Sequence, residues 1–258
     1  MARSPKPDDH ALAARVAAEA ADLLLSIRRD AADPDSLRAT GDRLSHELIA
    51  RRLADERPGE AVLSEEGARS AEGGGRTWVV DPLDGTREFG EPGREDWAVH
   101  VALVVDQRAA AGAVALPARG VVLSTGTPPT LPPPESRRPR IVVSRTRPPL
   151  FAEAFAEAIG GELVPLGSAG AKTAAVVTGE ADLFVHAGGQ YAWDTAAPAA
   201  VALAAGAHVS RLDGSPVRFD CADPWTPDIL VCRPELRDAA LAALAVLASP
   251  PGGPATGR

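Results

Sequence analysis

The stretch TPPTLPPPESRRP, residues 127–139, limits the fold more than any other part of the chain. Proline lacks a backbone N–H and fixes φ, so a segment this dense in proline forms neither a helix nor a central strand. The sequence therefore predicts two lobes that meet here, an N-terminal α+β lobe over 1–130 and a C-terminal α/β lobe over 131–258. We expect its proline- and glycine-rich end, 250–258, to be disordered.

The hydrophobic pattern differs on the two sides of that stretch. Before it, apolar residues at helical spacing over 10–29 and 42–57 are followed by strands, of which 97–105 places alternate residues on one face. The next two strands continue as a meander. After the prolines, strands and helices alternate up to a last helix that begins near Pro234. This order predicts an α/β fold, a layered α-β-α-β-α sandwich.

Composition excludes several classes of function. The 27 basic and 35 acidic side chains give a net charge of −8, which argues against a nucleic acid polymer as partner because such binding needs a basic face. No apolar run is long enough to span a bilayer and no signal-peptide pattern is present, so we expect no membrane partner and a cytoplasmic location. Cys221 and Cys232 are too few for a disulfide framework. We interpret the abundant alanine as coding bias.

The segment WVVDPLDGTREF, residues 78–89, places Asp81 and Asp84 at the end of an apolar run. Pro82 should end that strand, since it cannot donate to a sheet ladder. Gly85 permits a sharp turn, and Thr86 is a candidate cap for the helix that follows. Two further acidic positions have the same context: the pair Glu65–Glu66 follows a short strand, and Asp194 stands where a helix should begin.

Each acidic position alone has an ordinary explanation: a solvated strand end for Glu65–Glu66, a turn residue for Asp84, an N-cap for Asp194. Together, carboxylates without lysine partners repel one another and are costly to desolvate unless protons or a metal neutralise them. Oxygen ligands without histidine or cysteine favour Mg²⁺ or Mn²⁺. Gly85 and Thr86 would offer unhindered backbone N–H groups to phosphate oxygens. The combination predicts a site for metal and phosphate.

Three segments together resemble the signature of the inositol monophosphatase family, a family of magnesium-dependent, lithium-sensitive phosphatases. They are LSEEG (63–67), WVVDPLDGTREF (78–89) and YAWDTAAPAAVALAAGA (191–207), and the resemblance covers about 10–248. LSEE, DGTREF, the strand after it and GSAGAKTAAV (167–176) are most similar to the CysQ branch, the 3′(2′),5′-bisphosphate nucleotidases. The resemblance implies that Mg²⁺-dependent hydrolysis removes the 3′-phosphate of 3′-phosphoadenosine 5′-phosphate (PAP), or of its phosphosulfate PAPS, in sulfur assimilation.

The same resemblance implies a role for individual residues. The metal ligands, for two or three Mg²⁺ with Mn²⁺ as a substitute, would be Glu65, Asp81, the carbonyl of Leu83, Asp84 and Asp194. The catalytic residues would be Glu65 as a base acting through water, Thr86 orienting that water, and Asp42 supporting the threonine. The substrate-binding residues would be Glu65, Leu83, Asp84, Gly85, Thr86, Ser168, Ala169, His186 and Asp194. The segment around Asp42, PDSLRATGD, lacks the lysine and the S-P-V/T element that relatives carry there.

Other interpretations stay open at this point. The small anionic phosphate ester bound by the chain is alternatively inositol 1-phosphate or fructose 1,6-bisphosphate, or the chain is a non-catalytic metal- or nucleotide-binding regulator. A homodimer is expected from relatives alone. Arg87 and Arg94 either collect the phosphate or are solvated, and Lys172 belongs either to a helix surface or to a substrate loop. GSAGAKT is no P-loop because alanine precedes Lys172, and His100 reads as a satisfied core histidine.

Overall fold

The computed structural model describes residues 6–30, 33–67, 75–219 and 221–248. That part of the chain forms seven α-helices and two five-stranded sheets. The helices are α1 (Pro7–Asp30), α2 (Pro34–Glu56), α3 (Thr86–Gly90), α4 (Ala152–Ala158), α5 (Ala169–Thr178), α6 (Ala192–Ala204) and α7 (Arg237–Ala248). The strands are β1 (Ala61–Ser64), β2 (Arg76–Asp84), β3 (Ala98–Val105), β4 (Arg108–Leu116), β5 (Val121–Ser124), β6 (Arg140–Ser144), β7 (Glu162–Leu166), β8 (Leu183–Tyr191), β9 (His208–Ser210) and β10 (Trp225–Cys232).

The first sheet has the order β1-β2-β3-β4-β5, in which β1 is parallel to β2 and the later neighbours are antiparallel. The predicted meander is confirmed. The predicted alternation along β3 is confirmed too, because Val99, Val101 and Leu103 pack on the side of α1 and α2. Ala98 and Ala102 face the opposite side of the sheet.

The second sheet has the order β7-β6-β8-β10-β9, with β6 parallel to both β7 and β8. Strand β10 is antiparallel to its two neighbours. All five strands come from the chain beyond 127–139, and that segment itself contains no helix or strand. The division into lobes at 1–130 and 131–258 stays a prediction. The end 250–258, which the sequence assigned to disorder, lies wholly outside the described residues, as does 249.

The elements stack in five layers. Helices α1 and α2 cover the outer face of the first sheet, α5 and α6 lie between the sheets, and α4 and α7 cover the outer face of the second. The core between the sheets joins Val79 and Val114 of the first sheet to Phe184 and Ile229 of the second. The predicted α-β-α-β-α sandwich is confirmed, and the two sheets share one apolar core.

Small side chains allow α6 to approach the first sheet closely. A Cβ atom added to Gly112 on β4 would lie 3.1 Å from the Cβ of Ala200 and 3.3 Å from the Cα of Ala197. Packing at this distance leaves no room for larger residues. Part of the alanine content therefore has a packing reason that composition alone did not reveal.

Helix α2 begins at Pro34, so its predicted start at Asp42 is wrong. Asp33 is the N-cap, and its carboxylate accepts a hydrogen bond from the Ser36 N–H at 2.8 Å. Proline at the next position suits a first helical turn because the missing N–H would have no intrahelical partner. The Asp-Pro pair was the available signal, and it places Asp42 inside the helix. Within the described residues, no helix is both long and apolar enough to cross a membrane.

Candidate active site

A bulge brings the two acids of β2 together. The strand continues through Pro82 to Asp84, so the prediction that it ends at the proline is wrong. Asp81 pairs with His100 and Asp84 with Ala98, so two residues of β2 lie opposite a single residue of β3. A bulge tolerates proline because the extra residue needs no ladder hydrogen bond. In a regular strand, residues three apart point to opposite faces, and the bulge removes that difference.

The chain turns sharply directly after these acids. Gly85 has φ 85° and ψ 41°, in the left-handed region, and it is the N-cap of α3. A Cβ atom there would lie 3.1 Å from the Ser168 side chain and 3.2 Å from the Asp96 carbonyl. The capping role predicted for Thr86 is wrong: its hydroxyl donates to the Leu83 carbonyl at 3.0 Å, and Thr86 is the first helical residue.

Three carboxylates from both halves of the chain form one cluster. Oxygen atoms of Asp81, Asp84 and Asp194 lie within 4.8 Å of one another. Asp81 is 1% exposed, and its Oδ1 accepts the Leu83 N–H at 3.0 Å. Asp194 is the third residue of α6 rather than its N-cap, and its Oδ2 accepts the Tyr191 N–H at 2.6 Å. The layer packing thus places an acid of the second half beside two of the first.

The cluster is electrostatically unfavourable without a proton or a cation. Burial, followed by the charges of Asp84, Glu65 and Asp194, raises the pKa of Asp81 well above its usual value. Burial, followed by the charge of Asp84, raises the pKa of Asp194 to about 7. Such shifts mean that the charged forms repel one another in a poorly solvated place. Hard oxygen donors held in this way fit a divalent cation of the Mg²⁺ type.

Glu65 interacts electrostatically with the cluster, and Asp42 interacts with the glutamate pair. Glu65 is exposed at the strand end, yet partial desolvation of its carboxylate, followed by the negative charges of Asp84 and Glu66, raises its pKa. Glu65 therefore lies within electrostatic reach of the cluster. The pKa of Asp42 is raised to about 7, mainly by burial and further by the negative charges of Glu66 and Glu65. Among the described residues no hydrogen bond joins Asp42 to Thr86, so the structure relates Asp42 to the glutamate pair instead.

A cavity of about 530 Å³ opens beside the acids. Ser168 is the N-cap of α5, with its Oγ accepting the Ala171 N–H at 2.8 Å, and Ala169 is the first residue of that helix. Both are buried in the cavity wall. The cavity is lined by Asp84, Gly85, Thr86, Arg87, Glu88, Ser144, Thr146, Arg147, Gly167, Ser168, Ala169, Lys172, His186, Gln190 and Asp194.

Lys172 is a buried cation in this wall. It is 2% exposed, and its Nζ donates to the carbonyls of Gly167 and Ser168, the second at 3.0 Å. Burial lowers the pKa of Lys172 to about 8, an effect that the charge of Asp84 opposes. The helix-surface alternative for this residue is wrong, and the contacts with the loop before α5 agree with the other alternative.

The arginines of the site differ from one another. The guanidinium of Arg94 donates to the Asp96 carboxylate, which also accepts the Gly167 N–H at 2.6 Å, so Arg94 is occupied in holding the loop. Arg87 is exposed on the cavity wall. Arg147 is exposed there too, and sequence reasoning gave it no role. The two exposed guanidinium groups border the cavity that the acids also line.

A second cavity of about 410 Å³ adjoins the first and shares Arg147 and His186 with it. His186 is 4% exposed; its Nε2 donates to the Gly189 carbonyl at 3.3 Å, and its Nδ1 has no partner among the described residues. Burial lowers the pKa of His186 to about 4, so the ring is neutral near pH 7. The remaining lining residues, mostly apolar, are Pro148, Pro149, Leu150, Phe151, Ala187, Gly188 and Gly189.

Sequence reasoning also missed the environment of His100. The ring is fully buried, as predicted, but its Nε2 lies 3.2 Å from Oδ2 of Asp84. The signal was weak, since His100 stands in an apolar strand with nothing beside it to indicate a polar neighbour.

Known proteins are similar to this chain in both sequence and fold. A model of the inositol monophosphatase family matches residues 9–247. The 3′-phosphoadenosine 5′-phosphate phosphatase of Mycobacterium leprae is 47% identical over 88% of this chain and 90% of its own length. The 3′(2′),5′-bisphosphate nucleotidase CysQ of Escherichia coli is 31% identical over 69% of this chain and 77% of its own length. The crystal structure of CysQ from Bacteroides thetaiotaomicron superimposes with a TM-score of 0.78 at 26% identity, covering 88% of this chain and 97% of that one.

Proposed function

The chain belongs to the inositol monophosphatase family, and from that premise we propose that it hydrolyses the 3′-phosphate of PAP to give AMP and phosphate. The observation that carries the proposal is the cluster of Asp81, Asp84 and Asp194 beside a cavity lined by cationic side chains. A curated relative at 47% identity bears the name of this activity. PAPS is a further candidate substrate, and sulfur assimilation is the expected setting in the cytoplasm.

The metal cofactor follows from the donor set. Asp81, Asp84 and Asp194, with Glu65 and the Leu83 carbonyl, would hold two or three Mg²⁺, and Mn²⁺ would substitute. The buried carboxylates have raised pKa values, so a divalent cation relieves their repulsion. Bound there, Mg²⁺ would supply a Lewis acid that lowers the pKa of water and neutralises charge on the phosphate.

The chain's own groups would bind and orient the reacting atoms. The backbone N–H groups of Gly85 and Thr86 would receive the phosphate oxygens at the start of α3. The Thr86 hydroxyl already donates to the Leu83 carbonyl, so its lone pairs are left to accept a hydrogen bond from the attacking water. Glu65 would accept the proton of that water. Asp42, beside the glutamate pair, would assist a third, weaker metal.

The second cavity favours a nucleotide over a sugar phosphate. Its mostly apolar wall begins at Arg147 and His186, which also line the acid-bearing cavity. A planar base could lie there while its phosphates reach the cationic wall, whereas inositol 1-phosphate has no apolar part to fill it. Ser168, Ala169 and His186 would then contact the sugar or the base.

Release of phosphate from PAP, inositol 1-phosphate and fructose 1,6-bisphosphate tests the proposal, each with Mg²⁺ and with or without Li⁺. We expect a strong preference for PAP and inhibition by Li⁺. Asp84→Asn should abolish release while the protein stays folded, and the exposed Asp213→Asn is a matched control that should keep full activity.

A preference for either sugar phosphate would retain the chemistry and overturn the substrate. Absence of release from all three would favour the non-catalytic regulator. The homodimer stays a prediction, which light scattering on the purified protein would test.

A further inference from the structure

Glu88 is a buried carboxylate at the meeting point of three segments that line the acid-bearing cavity. It lies in α3, shortly after the turn at Gly85, and its residue is only 4% exposed. A Cβ atom added to Gly167, in the loop before α5, would lie 2.5 Å from both Cγ and Cδ of Glu88. Glycine therefore lets that loop cross the carboxylate closely. A buried charge of this kind is costly unless it has a partner.

The partner of Glu88 comes from the second half of the chain. Arg145 directly follows β6, and its Nη2 and Nε donate to Oε1 of Glu88 at 2.6 and 3.1 Å. The same Nη2 donates to Oε1 of Glu91 at 3.0 Å. With the Arg145 side chain 28% exposed and the Glu88 side chain 6% exposed, solvent screens this pair less than a surface pair. The ion pair thus fastens the loop after β6 to α3.

Backbone contacts fix the same loop. The Arg145 N–H donates to the Leu166 carbonyl at 2.9 Å, and the Arg147 N–H donates to Oγ of Ser144 at 3.1 Å. The Arg147 guanidinium is exposed and borders both the acid-bearing cavity and the mostly apolar one. Its backbone position is therefore set two residues from the ion pair between Arg145 and Glu88.

The location of Arg147 suits a second phosphate. PAP carries two phosphates, of which the proposed reaction removes one. With the 3′-phosphate beside Asp84 and Asp194 and the base in the apolar cavity, the remaining phosphate needs a cation near the boundary of the two cavities. A guanidinium group matches phosphate geometry well, and Arg147 offers one at that boundary.

We propose that Glu88 is a positioning residue for substrate selection: through its ion pair with Arg145 it holds Arg147 at the boundary of the two cavities, where the guanidinium receives the phosphate of PAP that is not hydrolysed. Glu88 acts on the substrate through Arg147 rather than by touching it. The inference rests on the proposed function and adds the part of the chain that selects a bisphosphate over a monophosphate.

Phosphate release from PAP and from adenosine 3′-phosphate, which lacks only the 5′-phosphate, tests the inference. Glu88→Gln keeps the length of the side chain and removes the charge that holds Arg145. We expect kcat/KM for PAP to fall about tenfold, mainly through KM, and kcat/KM for adenosine 3′-phosphate to change by less than about threefold. Glu180→Gln is the matched control, since Nη1 of Arg119 donates to both oxygens of this exposed carboxylate at 2.9 Å, and both substrates should keep their wild-type values.

A double variant shows whether Glu88 acts through Arg147. Glu88→Gln combined with Arg147→Ala should lower kcat/KM for PAP no further than Arg147→Ala alone, because the ion pair then has no guanidinium left to position. Full additivity of the two losses would overturn the inference. An equal fall for both substrates in Glu88→Gln would also overturn it, since a merely structural role produces that result.

Two further results keep the inference separable from folding and from the proposed function. If Glu88→Gln does not fold, Arg145→Lys is judged by the same outcomes, because it keeps a cation for the buried carboxylate and loses the fork of donors. A wild-type protein that uses PAP and adenosine 3′-phosphate with equal kcat/KM would keep the chemistry and overturn the inference. Release of phosphate from neither nucleotide would overturn the proposed function itself.

Discussion

Replacing Asp194 by asparagine should stabilise the metal-free protein while it removes activity. In the folded chain the pKa of Asp194 is about 7, against 3.8 for the free side chain, because burial and the charge of Asp84 disfavour the ionised form. Between these two pH values the folded state holds a proton that the unfolded state has released. The stability of the metal-free protein therefore falls as the pH rises through this window.

The size of the effect follows from the shift. Raising the pKa of Asp194 from 3.8 to about 7 lowers the free energy of unfolding of the metal-free protein by about 4 kcal/mol at pH 7.5. Asp194 borders the open cavity, where solvent screens part of the repulsion, so we expect Asp194→Asn to recover about 2 kcal/mol. Asparagine keeps an oxygen that can accept the Tyr191 N–H, which preserves the helix start. For a chain of this length that gain raises Tm by about 6 °C.

Urea denaturation in EDTA, at pH 7.5 and at pH 4.5, measures the gain. We expect the variant to exceed wild type at pH 7.5 and to match it closely at pH 4.5, where the folded wild type is protonated at this site. Asp213→Asn, an exposed carboxylate elsewhere, should show neither effect. A variant no more stable than wild type at pH 7.5 would refute the idea that the acids repel one another, and a gain that is equal at both pH values would refute its electrostatic origin.

Three further outcomes follow from other parts of the structure. Arg147→Ala should lower kcat/KM for PAP, measured by phosphate release, about tenfold, which corresponds to the loss of one hydrogen bond to a charged group. The same variant should change kcat/KM for inositol 1-phosphate by less than about threefold. Asp9→Ala should lower the free energy of unfolding, measured in urea, by about 3 kcal/mol. In the wild type the nearly buried guanidinium groups of Arg76 and Arg57 contact the Asp9 carboxylate at 2.8 and 2.9 Å, and the variant removes that partner. Burial raises the pKa of Cys232 to about 12, so a disulfide reagent should modify Cys221 alone in the native protein and Cys232 only after denaturation.

The features that sequence predicted well are local ones. The proline-dense segment, the alternation along β3 and the acids after apolar strands depend on neighbouring residues, and the family signature reports conserved spacing of the same kind. The five-layer order followed from the sequence of elements because each must cover an apolar face.

What sequence missed depends on residues far apart in the chain. The bulge at Pro82 arises from pairing with β3, and a proline-based rule therefore ended the strand too early. Lys172 carries the appearance of a surface lysine until α5 is packed between the sheets and its ammonium group meets two loop carbonyls. Nδ1 of His100 lies 3.0 Å from the carbonyl oxygen of Trp193, 93 residues away, and no local pattern reports that contact.

The close approach of α6 to β4 links residues outside the acid cluster to the position of Asp194. Ala197 and Ala200 determine how near the helix lies to Gly112, and Asp194 lies one turn before Ala197 on the same helix. Widening this seam by a single methyl group would carry the acid away from its partners on β2. We therefore expect laboratory selection for altered metal preference to recover substitutions along this seam as well as at the proposed ligands.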